Sequence, residues 1–408
     1  MTQDEKILRN LARRYAVAAR DPRNQENRRL HTAVNDLAMI RPVVLIDEIP
    51  FHELNFDGSL TLQCQDSDFR AAEDFLRKKL FQWQYFPADM ILPPYFPVQK
   101  VMHKTGCGFT VDEDTRVTDE KNHIISHEYH DQLADESALA RFRLPKVTYD
   151  KVETMRRYTK YGSAFGDILP VRLTGHDSYI STWDDLARLR GVTPLLMDLI
   201  ARPDYTHQIM EHMTDYYLSL TEQMEQLGLF EAEPLTMHCT SALNSTLPGD
   251  WDGGPIKRHQ VWGRGMAQIF ASVSKDMHEE FDIAYMKKVM EPFGLVYYGC
   301  CEPLDKKIDI VEKLPHLRKI SITPWADIDN AAEAIGNRYV IANKPNPSSV
   351  SGNLDEDALR KEIGHILSTC RKNGCHFDMV LKDISSAGHK VQNLIRWEQI
   401  VMDMVRAW

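Results

Sequence analysis

The run Tyr297-Tyr298-Gly299-Cys300-Cys301-Glu302-Pro303 sets two thiols and a carboxylate side by side, after a glycine that lets the backbone turn. Zinc takes thiolate, imidazole and carboxylate together, so this run is a candidate metal corner. A catalytic zinc needs ligands from elsewhere in the chain as well. His238 and Cys239 close one apolar run, Gly388-His389 follows another, and Glu48 lies near the end of a third. Adjacent side chains on a strand point to opposite faces, which leaves open whether one or both of Cys300 and Cys301 would bind. Cys300 and Cys301 therefore head the ligand set, with His389, His238 and Glu302 as the pool for the rest. Tyr298 and Asp383 are candidates for proton handling, Asp383 as base or as support for a ligand. Asn343 and Lys344 end another run, from which they could reach a bound ligand or cofactor. His389 has a second reading, as a helix cap or an anion contact at a helix N-terminus.

Other residues of the same types read as structural. Cys64, Cys107, Cys370 and Cys375 are scattered, as small packed thiols are. His123, His127 and His130 lie in a charged, hairpin-like stretch and read as a solvated face. Trp251-Asp252-Gly253-Gly254 is a turn that could belong to a substrate loop. No glycine-rich phosphate loop and no nucleophile elbow occurs.

Elements that could bring these residues together are visible in the hydrophobic pattern. Eight short β-rich runs occupy residues 42–49, 89–92, 168–175, 234–239, 295–299, 318–323, 339–343 and 378–383, most of them followed by a helix-length amphipathic segment. That alternation predicts an α/β chain with parallel strands, and the count predicts a closed (β/α)8 TIM barrel. Helical spacing is clear over 305–314, 327–336, 354–373 and 389–407. Catalytic groups of such barrels stand at the C-terminal ends of strands, where the Cys, His and Glu residues fall. Thr2 and Glu5 form a capping-box pattern ahead of Ile7, Leu8, Leu11 and Tyr15, so residues 1–40 read as an N-terminal helical extension. Residues 41–408 read as the barrel, with a hairpin or lid inserted near 100–150.

Bulk properties narrow the function further. The 408 residues carry a net charge of −10, which gives no basic footprint for nucleic acid or anionic lipid. No apolar run is long enough to span a membrane and the N-terminus lacks a signal-peptide core, so the expected location is cytoplasmic. Seven cysteines in a chain of this kind are not a disulfide framework.

Three segments resemble the uroporphyrinogen decarboxylase superfamily, which includes zinc-dependent methyltransferases serving corrinoid proteins. Residues 171–175 followed by 183–198 (WDDLARLRGVTPLLMD) resemble its third strand and Leu-x-Gly helix start. YYGCCEP resembles the His-x-Cys-Gly of the methyltransferase branch, and SAGHKV (386–391) its late Gly-His-Gly or Gly-Cys-Gly. The resemblance implies that Cys300 stands at the family's Cys position, Tyr298 at its His position and His389 at its late Cys. A shift of one residue would instead place Cys301 at the Cys position. Decarboxylases of the superfamily carry an Arg-Gln segment on the first strand, whereas VVLIDEIPFHEL is acidic; Glu48 would suit a metal or a cationic methyl donor. The resemblance thus implies a zinc-dependent methyltransferase, with a small-molecule methyl donor or thiol acceptor and a corrinoid cofactor or corrinoid protein. A decarboxylase of the same superfamily and a barrel acting only as a binding subunit are the alternatives.

Overall fold

A computed structural model describes residues 1–117 and 125–408; His123 lies outside the described residues. Eight parallel strands follow one another along the chain: β1 Val43–Ile46, β2 Phe96–Gln99, β3 Val171–Thr174, β4 Trp262–Gly265, β5 Leu295–Tyr298, β6 Leu317–Ile322, β7 Val340–Asn343 and β8 His376–Leu381. Six of them form one sheet in the order β1-β8-β7-β6-β5-β4, while β2 and β3 pair only with each other. Helices cover the outside, among them Ile328–Ile335, Glu356–Lys372 and Val391–Arg406, where the sequence periodicity places them.

The closed barrel expected from the strand count is not what the hydrogen bonds draw: the central sheet is open. A single bridge, Ile180 to Gly265, links the segment after β3 to β4. Between β1 and β2 no strand ladder runs among the described residues, although the Asp89 N–H donates to the Val44 carbonyl at 2.9 Å. Prolines explain this seam. Pro93, Pro94 and Pro97 remove three ladder donors at the approach to β2 and within it.

Two strands also lie elsewhere than the sequence pattern indicates. Residues 89–92 are not a strand, and β2 follows them. Residues 234–239 end in a small antiparallel hairpin, Thr236–Met237 with Thr240–Ser241, and the fourth parallel strand is Trp-Gly-Arg-Gly instead. Its glycines allow close helix packing: a Cβ at Gly263 would lie 2.8 Å from Met290 Sδ, and one at Gly265 would lie 2.7 Å from Met286 Sδ. An apolar-run criterion cannot see a strand half made of glycine.

The N-terminal helix Gln3–Ala19 starts at the expected capping box, with the Glu5 N–H donating to Thr2 Oγ1 and the Thr2 N–H to Glu5 Oε2. Leu8, Leu11 and Tyr15 pack with the helices Ser67–Tyr85 and Lys151–Phe165 over the β2–β3 pair. A second helix, Arg23–Asn35, follows. Within 100–150, Glu113–Val117 pairs antiparallel with Ile125–Tyr129, and His127 and His130 there contact Glu113 and Asp112.

Candidate active site

The hairpin 236–241 is fastened from inside the sheet. Asp378 on β8 accepts hydrogen bonds from the Thr240 and Ser241 hydroxyls and forms a fully buried ion pair with Lys319 on β6 at 2.8 Å. Lys319 also donates to the Ser241 carbonyl, and Asn35 of the N-terminal helices donates to the same oxygen. These bonds hold a turn that the backbone resists. Its two residues, His238 and Cys239, have φ of 42° and 69°, a left-handed conformation unfavourable for side chains of this size.

From that turn the His238 Nε2 reaches 3.2 Å from Cys300 Sγ, just past the end of β5. Cys301 Sγ lies 3.6 Å from Cys300 Sγ and 3.8 Å from Asp383 Oδ2. The Asp383 N–H donates to Glu48 Oε2, and the Cys239 thiol donates to Glu48 Oε1 at 3.5 Å. Lys382 closes the ring, its Nζ 3.4 Å from His238 Nε2, 3.5 Å from Glu48 and 3.3 Å from Asp383. Left-handed backbone gathers here: of the eight non-glycine residues with positive φ among those described, Glu48, His238, Cys239 and Asp383 belong to this cluster. Backbone strain of this kind collects at functional sites.

The charges within the cluster divide unequally. Cys300 is favoured as the thiolate, its pKa lowered because the Cys301 thiol donates to it, with His238 and Lys344 assisting against burial. Cys301 is pushed up correspondingly and stays a thiol. Burial lowers the His238 pKa, so the ring is neutral and its Nε2 meets either the thiolate as donor or Lys382 as acceptor. Burial works against the Lys382 ammonium, but the Cys300 thiolate, Glu48 and Asp383 outweigh it and raise its pKa. Burial raises the Glu48 pKa, and the neighbouring Asp383 side chain adds to the rise.

The chain is similar in fold to a methyltransferase from Methanosarcina mazei. The match has a TM-score of 0.52 at 12% identity and covers 92% of this chain and 97% of that one. At that identity the likeness is one of fold. No family model matches the sequence, and no curated protein matches it. Among the described residues no helix is long and apolar enough to cross a membrane.

Not every residue singled out in the sequence joins the cluster. Tyr298 points away from it: alternation along β5 turns Tyr297 inward, and the Tyr298 hydroxyl donates to Asp282 at 2.6 Å and contacts His278, behind the sheet. Glu302 is fully buried and both its oxygens are engaged, by the N–H groups of Cys300 and Ala267, so it fastens the Cys300 backbone. His389 is exposed; Glu53 accepts its backbone N–H together with that of Ala387, and no hydrogen bond joins its ring to either cysteine. Lys344 reaches the Cys300 carbonyl, which Ser321 also holds at 2.8 Å. Asn343 ends β7 with its side-chain oxygen buried and unpartnered.

Sequence reasoning missed Lys382 and Arg264. Lys382 directly follows β8 in DMVLKD, beside Asp383, and its position was readable there. Arg264 was hidden in the unrecognised β4. It is fully buried between the rings of Tyr179 and Tyr297, at 4.5 and 5.6 Å.

The donor set suits a soft metal in pairs rather than as a whole. Zn–S bonds of about 2.3 Å and Zn–N bonds of about 2.0 Å place tetrahedral sulfurs about 3.8 Å apart and sulfur and nitrogen about 3.5 Å apart. Cys300–Cys301 at 3.6 Å and Cys300–His238 at 3.2 Å are near those spacings. Among the described residues, however, no three His, Cys, Asp or Glu side chains are grouped to hold a metal ion.

Proposed function

We propose that the chain is a methyltransferase whose reactive centre is the Cys300 thiolate with Cys301 and His238, at the C-terminal ends of a barrel-like set of strands. The observation that carries this reading is the His238–Cys300 contact at 3.2 Å, in a chain that shares its fold with a methyltransferase. Zinc suits the chemistry of these donors, one thiolate, one thiol and one neutral imidazole, and would require a turn of His238 or Cys301 to complete its ligands. When bound, it would lower the pKa of a thiol acceptor or polarise the heteroatom of a methyl donor.

The rest of the centre handles position and protons. Glu302, Ser321 and Lys344 fix the Cys300 backbone, and Gly299, at φ 101°, turns it out of the strand. Glu48 and Asp383 stand ready to take the proton of an acceptor thiol at their carboxylate oxygens. The acceptor sulfur then attacks the methyl carbon; the S–CH3 bond forms while the bond from methyl to its carrier breaks, and the carrier leaves with the electron pair. A methylated corrinoid, free or on a partner protein, is a carrier of this chemistry, and we propose it as the methyl source.

The test supplies the zinc-loaded protein with methylcobalamin and 2-mercaptoethanol and follows the methylated thiol by mass spectrometry. Methylated product that disappears in Cys300→Ser is the expected result. Absence of product, with porphyrinogen decarboxylated instead, would overturn the reading.

A further inference from the structure

A cavity of about 220 Å³ lies on the seam between β1 and β2, beneath the N-terminal helix. Leu45, Ile46 and Asp47 line it from the β1 side, Met90 and Pro97 from the β2 side, and Cys239 from the strained turn. The prolines that break the ladder open this space. It is larger than the roughly 150 Å³ apolar cavity that accommodates benzene, so one substituted aromatic ring fits within it.

The lining selects among such molecules. Phe75, Tyr95 and Tyr15 supply aromatic walls, with the Tyr15 and Phe75 rings 6.3 Å apart. The Tyr15 hydroxyl is fully buried and has no partner, a costly state that a ligand acceptor relieves. Lys79 also lines the cavity and makes no ion pair among the described residues. The one carboxylate of the lining, Asp47, already accepts the Glu48 N–H.

We infer that this cavity binds a small single-ring aromatic carboxylate, its anionic end at Lys79 and a polar ring substituent at Tyr15. Cys239 joins the cavity to the reactive centre through Glu48, so a ligand here lies against that centre. The inference concerns binding and stands independently of methyl transfer.

Calorimetric titration of the full chain with benzoate, 4-hydroxybenzoate and benzylamine tests it. Benzoate should bind and benzylamine should bind at least tenfold more weakly, with Lys79→Met removing that preference. 4-Hydroxybenzoate should bind more tightly than benzoate to the native protein and equally in Tyr15→Phe. Cys300→Ser should leave every one of these affinities unchanged, which separates this inference from the reaction at the sulfur. No binding of either acid at millimolar concentration, or benzoate binding indifferent to Lys79→Met, would overturn it.

Discussion

His238 and Cys300, 62 residues apart, meet with Nε2 3.2 Å from Sγ, and neither lies within a parallel strand. One sits in a left-handed hairpin turn and the other just past β5, so the contact exists only because separate anchors hold both backbones. The expectations below follow from those anchors and from the charges around them.

The Lys319–Asp378 pair is the anchor of the His238 turn. Asp378→Leu should destabilise the chain by about 3–5 kcal/mol, because it strands a buried ammonium. Lys319→Met combined with Asp378→Leu should recover a large part of that loss. Denaturant unfolding of the single and double variants reads the difference. Both variants should still lower methyl transfer, since the Thr240 and Ser241 hydroxyls lose their acceptor.

Glu302 holds the Cys300 N–H without touching the reacting atoms, and is a positioning residue. Glu302→Gln keeps its shape but replaces one acceptor oxygen by a donor, which disfavours one of the two backbone bonds. A roughly 10- to 100-fold loss of metal affinity is expected, the usual range for groups that orient a ligand. Metal competition titration measures it, and Glu302→Asp, which restores the charge, should recover part of the loss.

Asp184 supplies a pH-dependent contribution to stability. Burial pushes its pKa up to about 7, with Glu302 and Cys300 adding repulsion. Because the folded pKa lies above the ordinary carboxylate value, the unfolded chain gives up this proton first. The contribution is therefore complete below about pH 4 and declines as pH rises toward 7. Asp184→Asn should remove that decline, so the melting temperature of the variant gains on the native protein most above pH 7.

Much of this arrangement is legible in the sequence. Six of the eight runs contain or overlap parallel strands, because β5 to β8 and the ends of β1 and β3 are apolar and β-branched. The capping box at Thr2 also reads directly. What failed has physical causes: the glycines of β4 give no hydrophobic signal, and the prolines before β2 shift a strand and open the sheet. Tyr298 lies behind the sheet because alternation along β5 turns it outward. Glu302 and His389 looked like ligands by type, but spacing cannot reveal that backbone N–H groups already occupy one and that the other is exposed. Cys300, Cys301 and His238 were legible as donors. Their mutual contact depends on a buried ion pair and a strained turn, which no local pattern encodes.

The central claim is that Cys300, Cys301 and His238 form one functional centre, and metal content tests it most directly. The protein purified without chelator and equilibrated with zinc should retain about one ion per chain. Cys300→Ser and His238→Ala should each lower the affinity at least on the order of 100-fold, with circular dichroism unchanged. Native protein that retains no stoichiometric zinc, or that retains it equally well in both variants, would contradict the account.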